Sequence, residues 1–280
     1  MKKRAIVRYQ GGLGNQMFEY SLSILLKENG YTVYNDLSFY DNKLEVMPFV
    51  LNDVFKNISV HNFLSSTFMT KILRRFYMIM GKYIIEDNYT KFDKDIFKHQ
   101  GWIDGYWQSY KYYDSIRNKL LKEFTFDKIT NMELVKIEKM ILETVAVSIH
   151  VRAGDYLKPE NYNNMGGVCN KAYYLKAVEC IHKNIANPVF FVFSDDIEWA
   201  KNNIAVSNAI YLDFKENGEY KDWMDMYFMS ICKHNIIANS SFSWWGAWLN
   251  QNPDKFVISP QRWSNKYENT EVCPQEWIRL

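Results

Sequence analysis

Residues 148–156, with the sequence SIHVRAGDY, carry three side chains that could do chemistry together: His150, Arg152 and Asp155. The apolar residues around them predict a buried strand, and in a strand His150 and Arg152 share one face. The planar guanidinium of an arginine matches phosphate oxygens in pairs. An ion pair between Arg152 and Asp155 is the structural alternative, but an arginine at a strand end beside a histidine and a glycine favours a phosphate ligand.

A glycine-rich loop near the start of the chain is a second candidate for anion binding. Residues 11–16, GGLGNQ, follow a short apolar run. Glycines there let backbone N–H groups approach a phosphate at a helix N-terminus, and Asn15 can cap that helix. The loop is not a dinucleotide fingerprint, because the third glycine of that motif is absent. A structural turn and a ligand loop both remain open.

Two further features lie closer to the C-terminal end. In residues 239–248, NSSFSWWGAW, serines follow a predicted strand. Hydroxyls and N–H groups at a helix start can hold an anion; ordinary capping, with the tryptophans in the core, is the alternative.

Asp225 lies within the apolar stretch WMDMYFM. If it is buried it needs a partner, and its two oxygens suit the paired donors of a guanine edge. An exposed aspartate on a helix face is the alternative.

Alternating strands and helices must position these residues. Apolar runs at 5–9 and 31–35 flank a helix that ends near Gly30, which is a βαβ start. From residue 144 onward we predict strands and helices in alternation, with strands at 144–151, 189–193, 209–212, 235–238 and 256–259, and helices at 171–184, 197–203, 220–233 and 244–249. Continuous apolar strands that alternate with helices predict an α/β fold whose parallel sheet is covered on both faces.

The middle of the chain is less regular. Between residues 37 and 140 we predict helices at 68–80, 115–124 and 131–142 among aromatic loops, without an order for them. The break near residue 143 is the predicted domain boundary, which gives domains 1–142 and 143–280. Ligands of open parallel sheets bind at the carboxyl ends of the strands, and that is where His150 and Arg152 are predicted to lie.

Composition excludes several classes of protein. Lys+Arg 34 against Asp+Glu 32 leave a formal charge of +2, without the basic excess of nucleic-acid-binding proteins. The cysteines form no C-x-x-C pair and no zinc-like cluster with histidine, so no metal site is predicted. No window approaches the roughly 18 apolar residues that span a membrane, and no secretory signal opens the chain. We therefore expect a cytoplasmic protein.

Three motifs, taken in order, resemble those of the alpha-1,2-fucosyltransferases of glycosyltransferase family 11. They are GLGNQ at 12–16, HVRAGDY at 150–156 and IIANSSFSWWGAWL at 236–249. The third is the most specific, and the stretch 37–140 adds little. The first two are also similar, more distantly, to motifs of protein O-fucosyltransferases and alpha-1,6-fucosyltransferases.

The resemblance implies a GT-B arrangement, in which two Rossmann-like domains face a cleft. It implies GDP-beta-L-fucose as donor, inversion to an alpha linkage, and no metal or other cofactor. Residues 1–142 would then be the acceptor-side domain and residues 143–280 the nucleotide-sugar-binding domain. Eukaryotic members carry an N-terminal membrane anchor, and its expected absence here suits a bacterial cytoplasmic enzyme.

Residue by residue, the resemblance assigns Arg152 to the diphosphate, His150 and Asp225 to the guanine, and Asp195 to a less defined role at the donor. Phe242, with the serines on either side of it, would line the diphosphate and fucose. The complete set of implied donor-binding residues is Gly12, Gly14, Asn15, His150, Arg152, Asp195, Asp225, Ser241, Phe242 and Ser243.

Transfer also needs charge stabilisation on the leaving diphosphate and a base for the acceptor hydroxyl. Arg152 and a helix start can supply the first without a divalent ion. Asp155 and Glu160, in the loop after the arginine strand, are the candidate bases. Asp155 is close enough to the diphosphate to be better suited to orienting Arg152, whereas Glu160 lies further along a loop that could reach the acceptor. A highly dissociative transition state that needs no strong base is the alternative.

The predicted function is therefore transfer of L-fucose from GDP-fucose to O-2 of a galactoside in a glycan acceptor. The alternatives are a transferase for another nucleotide sugar, and a non-catalytic carbohydrate- or nucleotide-binding module whose tryptophans stack on sugars. Residues 68–80 mix apolar side chains with Lys71, Arg74 and Arg75. They predict an ordinary amphipathic helix, with contact to a membrane that carries a lipid-linked acceptor as the alternative.

Overall fold

The structure is a computed structural model that describes residues 2–41, 47–154, 156, 158–214 and 218–280. The chain forms two compact units, Met1–Asp127 and Lys128–Leu280. Both are built on parallel sheets, which confirms the predicted α/β fold. The first unit contains, among the described residues, β1 (Arg4–Arg8), α1 (Leu13–Glu28), β2 (Thr32–Asp36), α2 (Leu51–Val54), α3 (Thr67–Ile79), β3 (Tyr83–Ile85), β4 (Gly101–Asp104) and α4 (Arg117–Glu123).

The first sheet has the strand order β2-β1-β4-β3. Its central strand β1 is buried along Ala5–Val7, and α1 packs against it with its whole stretch from Met17 to Leu26 buried. An apolar strand followed by a helix that is buried along most of its length forms the core of this unit. The helix begins after Gly12 and makes no side-chain cap. Asn15 therefore lies inside α1, and the prediction that it caps this helix is wrong.

The second unit contains, in chain order, α5 (Met132–Glu143), β5 (Val145–Val151), α6 (Pro159–Met165), α7 (Lys171–Asn184), β6 (Pro188–Ser194), α8 (Ile197–Asn203), β7 (Ala209–Tyr211), α9 (Trp223–Ile231), β8 (His234–Ile236), α10 (Ser241–Leu249), β9 (Val257–Ser259) and β10 (Ile278–Arg279). Its sheet has the order β10-β9-β8-β5-β6-β7 and is parallel throughout. Counted from β5, this is the doubly wound order 3-2-1-4-5-6.

The core of the second unit explains why β5 lies at its centre. Val147, Ile149 and Val151 are fully buried and pack with residues of β6 and α7, such as Phe190 and Ile181. Burial of each such side chain contributes roughly 1.5–3 kcal/mol. The register pairs Ile149 with Val192 on one side and with Ile236 on the other. The strand end that carries His150 and Arg152 is thus held from both sides.

The boundary between the units lies earlier than the predicted 142/143. Helix α5 belongs to the second unit, because it packs on β5 and α9 and its Glu138 accepts a hydrogen bond from Tyr227 of α9. The predicted break near residue 143 is instead the short connection between α5 and β5. Helix α10 begins at Ser241, three residues before the predicted start, because Ser240 caps it.

Candidate functional site

The second sheet reverses its direction of winding between β5 and β8, and the crevice at the carboxyl ends of these strands is where such sheets bind ligands. The chain leaves β5 toward α6 and α7 and returns on one side of the sheet as β6, whereas β8 leads through α10 to β9 on the other side. The motif that follows β5 and the motif that begins α10 therefore lie next to each other. Tyr156 joins them, because its hydroxyl donates to the carbonyl oxygen of Asn239 over 3.1 Å.

Arg152 stands directly after β5 and forms an ion pair with Asp195, which follows β6. Arg152 Nε lies 3.3 Å from Asp195 Oδ2, and both side chains are about one-fifth exposed, at 22% and 23%. The same carboxylate accepts hydrogen bonds from the backbone N–H of Ala153 at 2.9 Å and of Gly154 at 3.1 Å. A Cβ on Gly154 would lie only 2.9 Å from Asp195 Oδ2, so this approach requires the glycine.

The guanidinium of Arg152 has an aromatic face beside it. Its Cζ lies 5.5 Å from the ring centroid of Tyr156, within the range of a cation–π contact. The guanidinium is thus held by a carboxylate and a ring, and is only partly exposed. A preorganised cation at a strand end is suited to the charge of a bound diphosphate. Sequence reasoning gave Tyr156 no role, although it closes the same motif as Arg152.

His150, the last but one residue of β5, is buried with 4% of its surface exposed. Its ring lies 5.8 Å from the ring of Phe242 in α10, at an interplanar angle of 35°. Burial and, to a smaller extent, the neighbouring charge of Arg152 together lower the pKa of His150 to about 3. The imidazole is therefore neutral at physiological pH. Its Nδ1 atom is buried without a hydrogen-bond partner among the described residues. An orphaned polar atom of this kind is a feature that a bound ligand can satisfy.

The start of α10 supplies backbone donors beside this histidine. Ser240 is the N-cap, and its hydroxyl accepts from the N–H of Phe242 at 3.3 Å. Ser241 and Phe242 are partly exposed, whereas Ser243 is fully buried and donates to the carbonyl oxygens of Ala238 and Ser240, each at 3.3 Å. Ser241 and Phe242 are thus accessible to a ligand. The hydroxyl of Ser243 serves the turn that leads into the helix.

Asp225 lies in the first turn of α9 and is half-buried. Its pKa is raised to about 7, chiefly by burial and also by the charge of Asp222, although a hydrogen bond with Tyr220 lowers it. The alternative of a plainly exposed aspartate is therefore wrong. The contact that defines its position is with Tyr220, which lies before α9.

The glycine-rich loop of the first unit is tightly built. Gly11 has a φ of +75°, and the side chain of Gln16 donates to its carbonyl oxygen at 3.0 Å. Gly12 precedes α1, and Gly14 lies in its first turn. Asn15 accepts a hydrogen bond from Gln108 at 3.0 Å. The loop is thus fixed by side chains from α1 and from the segment that follows β4.

That segment is itself held by Glu86, a residue that sequence reasoning did not single out. Its Oε2 accepts from the backbone N–H of Tyr106 at 2.7 Å and of Trp107 at 2.8 Å. Trp107 has a φ of 54°, a left-handed conformation that a buried tryptophan adopts only under constraint. A glutamate that follows a short edge strand has no sequence signal that marks this role.

Seven of the nine tryptophans are core residues. Trp244 donates from its indole nitrogen to the carbonyl oxygen of Val272 at 2.9 Å and stacks on Trp248 at 5.8 Å. Seven tryptophans are at most 4% exposed: Trp102, Trp107, Trp244, Trp245, Trp248, Trp263 and Trp277. The alternative of a binding module that stacks sugars on these rings is therefore wrong.

Some predicted site residues come together and others do not. The structure brings together His150, Arg152, Asp195 and Phe242. Gly12, Gly14 and Asn15 lie in the first unit, apart from this cluster in the chain. Asp155 and the side chain of Glu160 lie outside the described residues, so their assignments stay predictions. No three or more His, Cys, Asp or Glu side chains converge as a metal site in the described part of the chain. Within that same part, no helix has the length and apolar character of a membrane-spanning segment.

Comparison of the sequence with known proteins finds glycosyltransferases. The model of Glycosyl transferase family 11 matches residues 1–280. An alpha-1,2-colitosyltransferase of Escherichia coli is 32% identical over 98% of both chains, and the O-antigen biosynthesis glycosyltransferase WbnK of Escherichia coli is 31% identical over 96% of this chain and 98% of WbnK. Galactoside 2-alpha-L-fucosyltransferase Sec1 of Mus musculus is 27% identical over 87% of this chain and 63% of its own. Among solved structures, fucosyltransferase NodZ from Bradyrhizobium aligns over 88% of this chain and 93% of its own, with 12% identity and a TM-score of 0.47.

Proposed function

Because this chain belongs to glycosyl transferase family 11, we propose that it transfers L-fucose from GDP-beta-L-fucose to O-2 of a galactoside in a glycan acceptor. The observation that carries the proposal is the cluster of Arg152, Asp195 and His150 at the point where the second sheet reverses its winding. A cation and helix-start N–H groups at that edge are what a nucleoside diphosphate needs.

In this proposal Arg152 binds the diphosphate and stabilises the charge that develops as the sugar–phosphate bond breaks. The backbone N–H of Ser241, at the first position of α10, adds a fixed donor to the same oxygens. Asp195 orients Arg152 through Nε and holds the following turn through two backbone N–H groups. The transfer inverts the anomeric centre, from a beta donor to an alpha product.

We propose that His150 and Asp225 bind the guanine base of the donor. A neutral imidazole with an unsatisfied Nδ1 can exchange one hydrogen bond with the guanosine, and its ring lies against Phe242. A carboxylate in the position of Asp225 accepts from the two donors on the edge of guanine. Gly12, Gly14 and Asn15 are proposed to contact the donor as well. Ser243 supports the turn into α10.

A second donor is favoured by one specific observation, since a relative of 32% identity carries the name alpha-1,2-colitosyltransferase. The same site chemistry fits GDP-activated colitose, because the nucleotide contacts are shared. The two candidates differ only in the sugar that is transferred, so they are separated by turnover and not by nucleotide binding.

The test is a donor and nucleotide panel. We expect GDP, and not UDP or dTDP, to raise the thermal midpoint, and GDP-fucose to yield an alpha-1,2-linked product on a galactoside. The H1–H2 coupling constant in NMR identifies the alpha configuration, and a through-bond correlation across the glycosidic bond identifies the linkage to O-2. Turnover of GDP-colitose with none of GDP-fucose would assign the second candidate. Stabilisation by UDP alone, or hydrolysis without transfer, would contradict the proposal.

Metal independence is proposed as well, and excess chelator tests it. Arg152 and the start of α10 are expected to stabilise the leaving diphosphate without a divalent ion, so activity should persist. Complete loss of activity that magnesium or manganese restores would overturn this part.

We also propose that the acceptor is lipid-linked and lies in the cytoplasm, at the inner face of a bacterial membrane. Residues 68–80 are the segment that is proposed to contact this membrane.

A further inference from the structure

Helix α3 presents an apolar face to solvent. Phe68 is 70% exposed, Phe76 54% and Ile79 78%. With Ile72 they recur at intervals of four, four and three residues, so they form one stripe along the helix. Of the helix residues only Thr70 is buried. We name this face the α3 surface: Phe68, Met69, Ile72, Phe76, Ile79 and Met80. Exposed apolar patches with a polar rim mark interaction sites.

The opposite face ties the helix to the first sheet, so the α3 surface is presented by a fixed helix. Ser66 caps α3 by accepting from the N–H of Met69 at 3.3 Å. The ring of Tyr77 packs edge-on against Trp102 of β4, with centroids 5.7 Å apart. Arg74 lies 3.9 Å from the buried carboxylate of Asp36. The helix therefore has core contacts of its own, and the apolar stripe is exposed in addition to them.

Positive charge lines one edge of the stripe. Lys71 and Arg75 are exposed and lie three residues after Phe68 and Ile72, on the adjoining side of the helix. Lys82 follows the helix and is exposed as well. No acidic residue occurs between residues 62 and 85. An apolar stripe bordered by cations and free of carboxylates complements a surface with anionic groups above an apolar layer.

We propose that the α3 surface binds an anionic phospholipid bilayer, with the helix lying in the plane of the membrane. Its apolar side chains enter the boundary between headgroups and acyl chains, while Lys71, Arg75 and Lys82 pair with anionic headgroups. A second copy of the chain fits less well. Self-pairing of this face would bring the same cations to a shared rim, with no acidic residue between 62 and 85 to meet them. The proposal holds whichever sugar the enzyme transfers.

Vesicle co-sedimentation of the full chain tests this. We expect binding to vesicles of phosphatidylcholine with phosphatidylglycerol to exceed binding to phosphatidylcholine alone by about tenfold or more, and to fall with salt. The triple variant Phe68→Gln, Phe76→Gln, Ile79→Gln should lose this binding. The double variant Lys71→Gln, Arg75→Gln should lose the preference for anionic lipid and the salt dependence.

The matched control replaces three apolar side chains that are exposed elsewhere, by Met132→Gln, Leu142→Gln and Leu175→Gln. It should bind vesicles as the unmodified chain does. All substituted positions are exposed, so far-UV circular dichroism and the thermal midpoint should be unchanged in each variant. Three outcomes would overturn the proposal: no preference for anionic vesicles, equal binding by the Phe68/Phe76/Ile79 variant, or a concentration-dependent dimer that this variant abolishes.

Discussion

Arg152 and Asp195 are joined side chain to side chain across two neighbouring parallel strands, with Arg152 Nε 3.3 Å from Asp195 Oδ2. The register pairs Val151 with Ser194, so the two residues occupy equivalent positions just past the ends of β5 and β6. The same carboxylate also holds the N–H groups of Ala153 and Gly154. One acidic side chain thus fixes both the cation and the turn that follows it.

The first prediction separates Asp195 from its neighbour Asp196. Asp195→Asn removes the charge that orients Arg152, so the affinity for GDP should fall by roughly tenfold, about 1.4 kcal/mol. Asp196 instead caps α8 by accepting from the N–H of Trp199 at 2.9 Å. Asp196→Ala should therefore cost about 0.5–2 kcal/mol of stability and leave the GDP affinity unchanged. Calorimetric titration with GDP and denaturant unfolding of both variants check this. Equal GDP affinities in the two variants would refute the division.

The second prediction concerns Arg152. Arg152→Ala should lower kcat/KM by about 10²–10³-fold, because a lost donor at the leaving group commonly costs about 2.7–4 kcal/mol. Arg152→Lys should recover little, since an ammonium cannot reproduce the fork. Lys176→Ala, at an exposed position on α7, is the control for loss of a cation and should behave as the unmodified enzyme. Steady-state kinetics on all three variants give the answer, and near-normal turnover in Arg152→Lys would make the arginine structural.

The sequence allowed the second unit to be predicted well, for a physical reason. Its two longest strands are apolar runs, buried along residues 146–151 in β5 and 190–193 in β6, and helices follow each of them in the chain. Helices α7 and α8 have the predicted bounds, 171–184 and 197–203. The arginine and histidine at the end of β5 followed from the same pattern, because residues next to a buried strand end lie at the ligand edge of a parallel sheet.

The first unit could not be ordered from the sequence, because its central pairing is not local. Strand β4 pairs with β1, with Trp102 opposite Ile6 and nearly a hundred residues between them. Strands β3 and β4 are also too short, at three and four residues, to show a period. Asp195 was assigned no partner for a similar reason: its contact with Arg152 depends on the register of β5 and β6, which motif spacing does not contain.

The third prediction links Asp225 to the pH dependence of nucleotide binding. Its pKa of about 7 leaves it largely protonated at pH 6 and largely ionised at pH 8. Guanine offers two donors, so only the carboxylate binds both. The affinity for GDP should therefore be roughly tenfold weaker at pH 6 than at pH 8, in proportion to the ionised fraction. Affinity for inosine diphosphate, which lacks the 2-amino group, should change less.

Asp225→Asn provides the control for titration of the nucleotide phosphates. The same nucleotide is titrated with this variant, but the carboxyl group of residue 225 is absent. Its GDP affinity should be lower and should follow only the phosphate titration over the same pH range. His150 does not contribute to the slope, because burial holds its pKa at about 3. An identical pH profile in Asp225→Asn and the unmodified enzyme would exclude this role for Asp225.

The fourth prediction divides the two candidates for the base. Asp155→Asn should weaken GDP binding, because a carboxylate near the diphosphate is better suited to supporting Arg152 than to taking a proton. Glu160→Gln should lower kcat and leave the GDP affinity unchanged. Both variants need GDP affinity and kcat measured side by side. An unmodified kcat in Glu160→Gln would exclude Glu160 as the base, and unchanged GDP affinity in Asp155→Asn would exclude Asp155 as a support of the arginine.

The last prediction concerns Glu86 and the stability of the first unit. The pKa of Glu86 is raised to about 8, chiefly by burial and also by the charges of Asp104 and Asp93, although the hydrogen bonds from the N–H groups of Trp107 and Tyr106 lower it. The folded chain therefore keeps a proton that the unfolded chain, with a pKa near 4.5, releases. The stabilisation is complete below about pH 4.5 and is lost as the pH rises toward 8, at up to about 1.4 kcal/mol per pH unit.

Glu86→Gln keeps an oxygen for the two N–H groups and cannot ionise, so its stability should fall less over this range. Its advantage over the unmodified chain should be largest above pH 8. Urea unfolding at several pH values measures the difference, and Glu179→Gln, in an exposed pair with Lys183, should show almost none. Parallel pH profiles for Glu86→Gln and the unmodified chain would mean that Glu86 is ionised in the folded protein throughout this range.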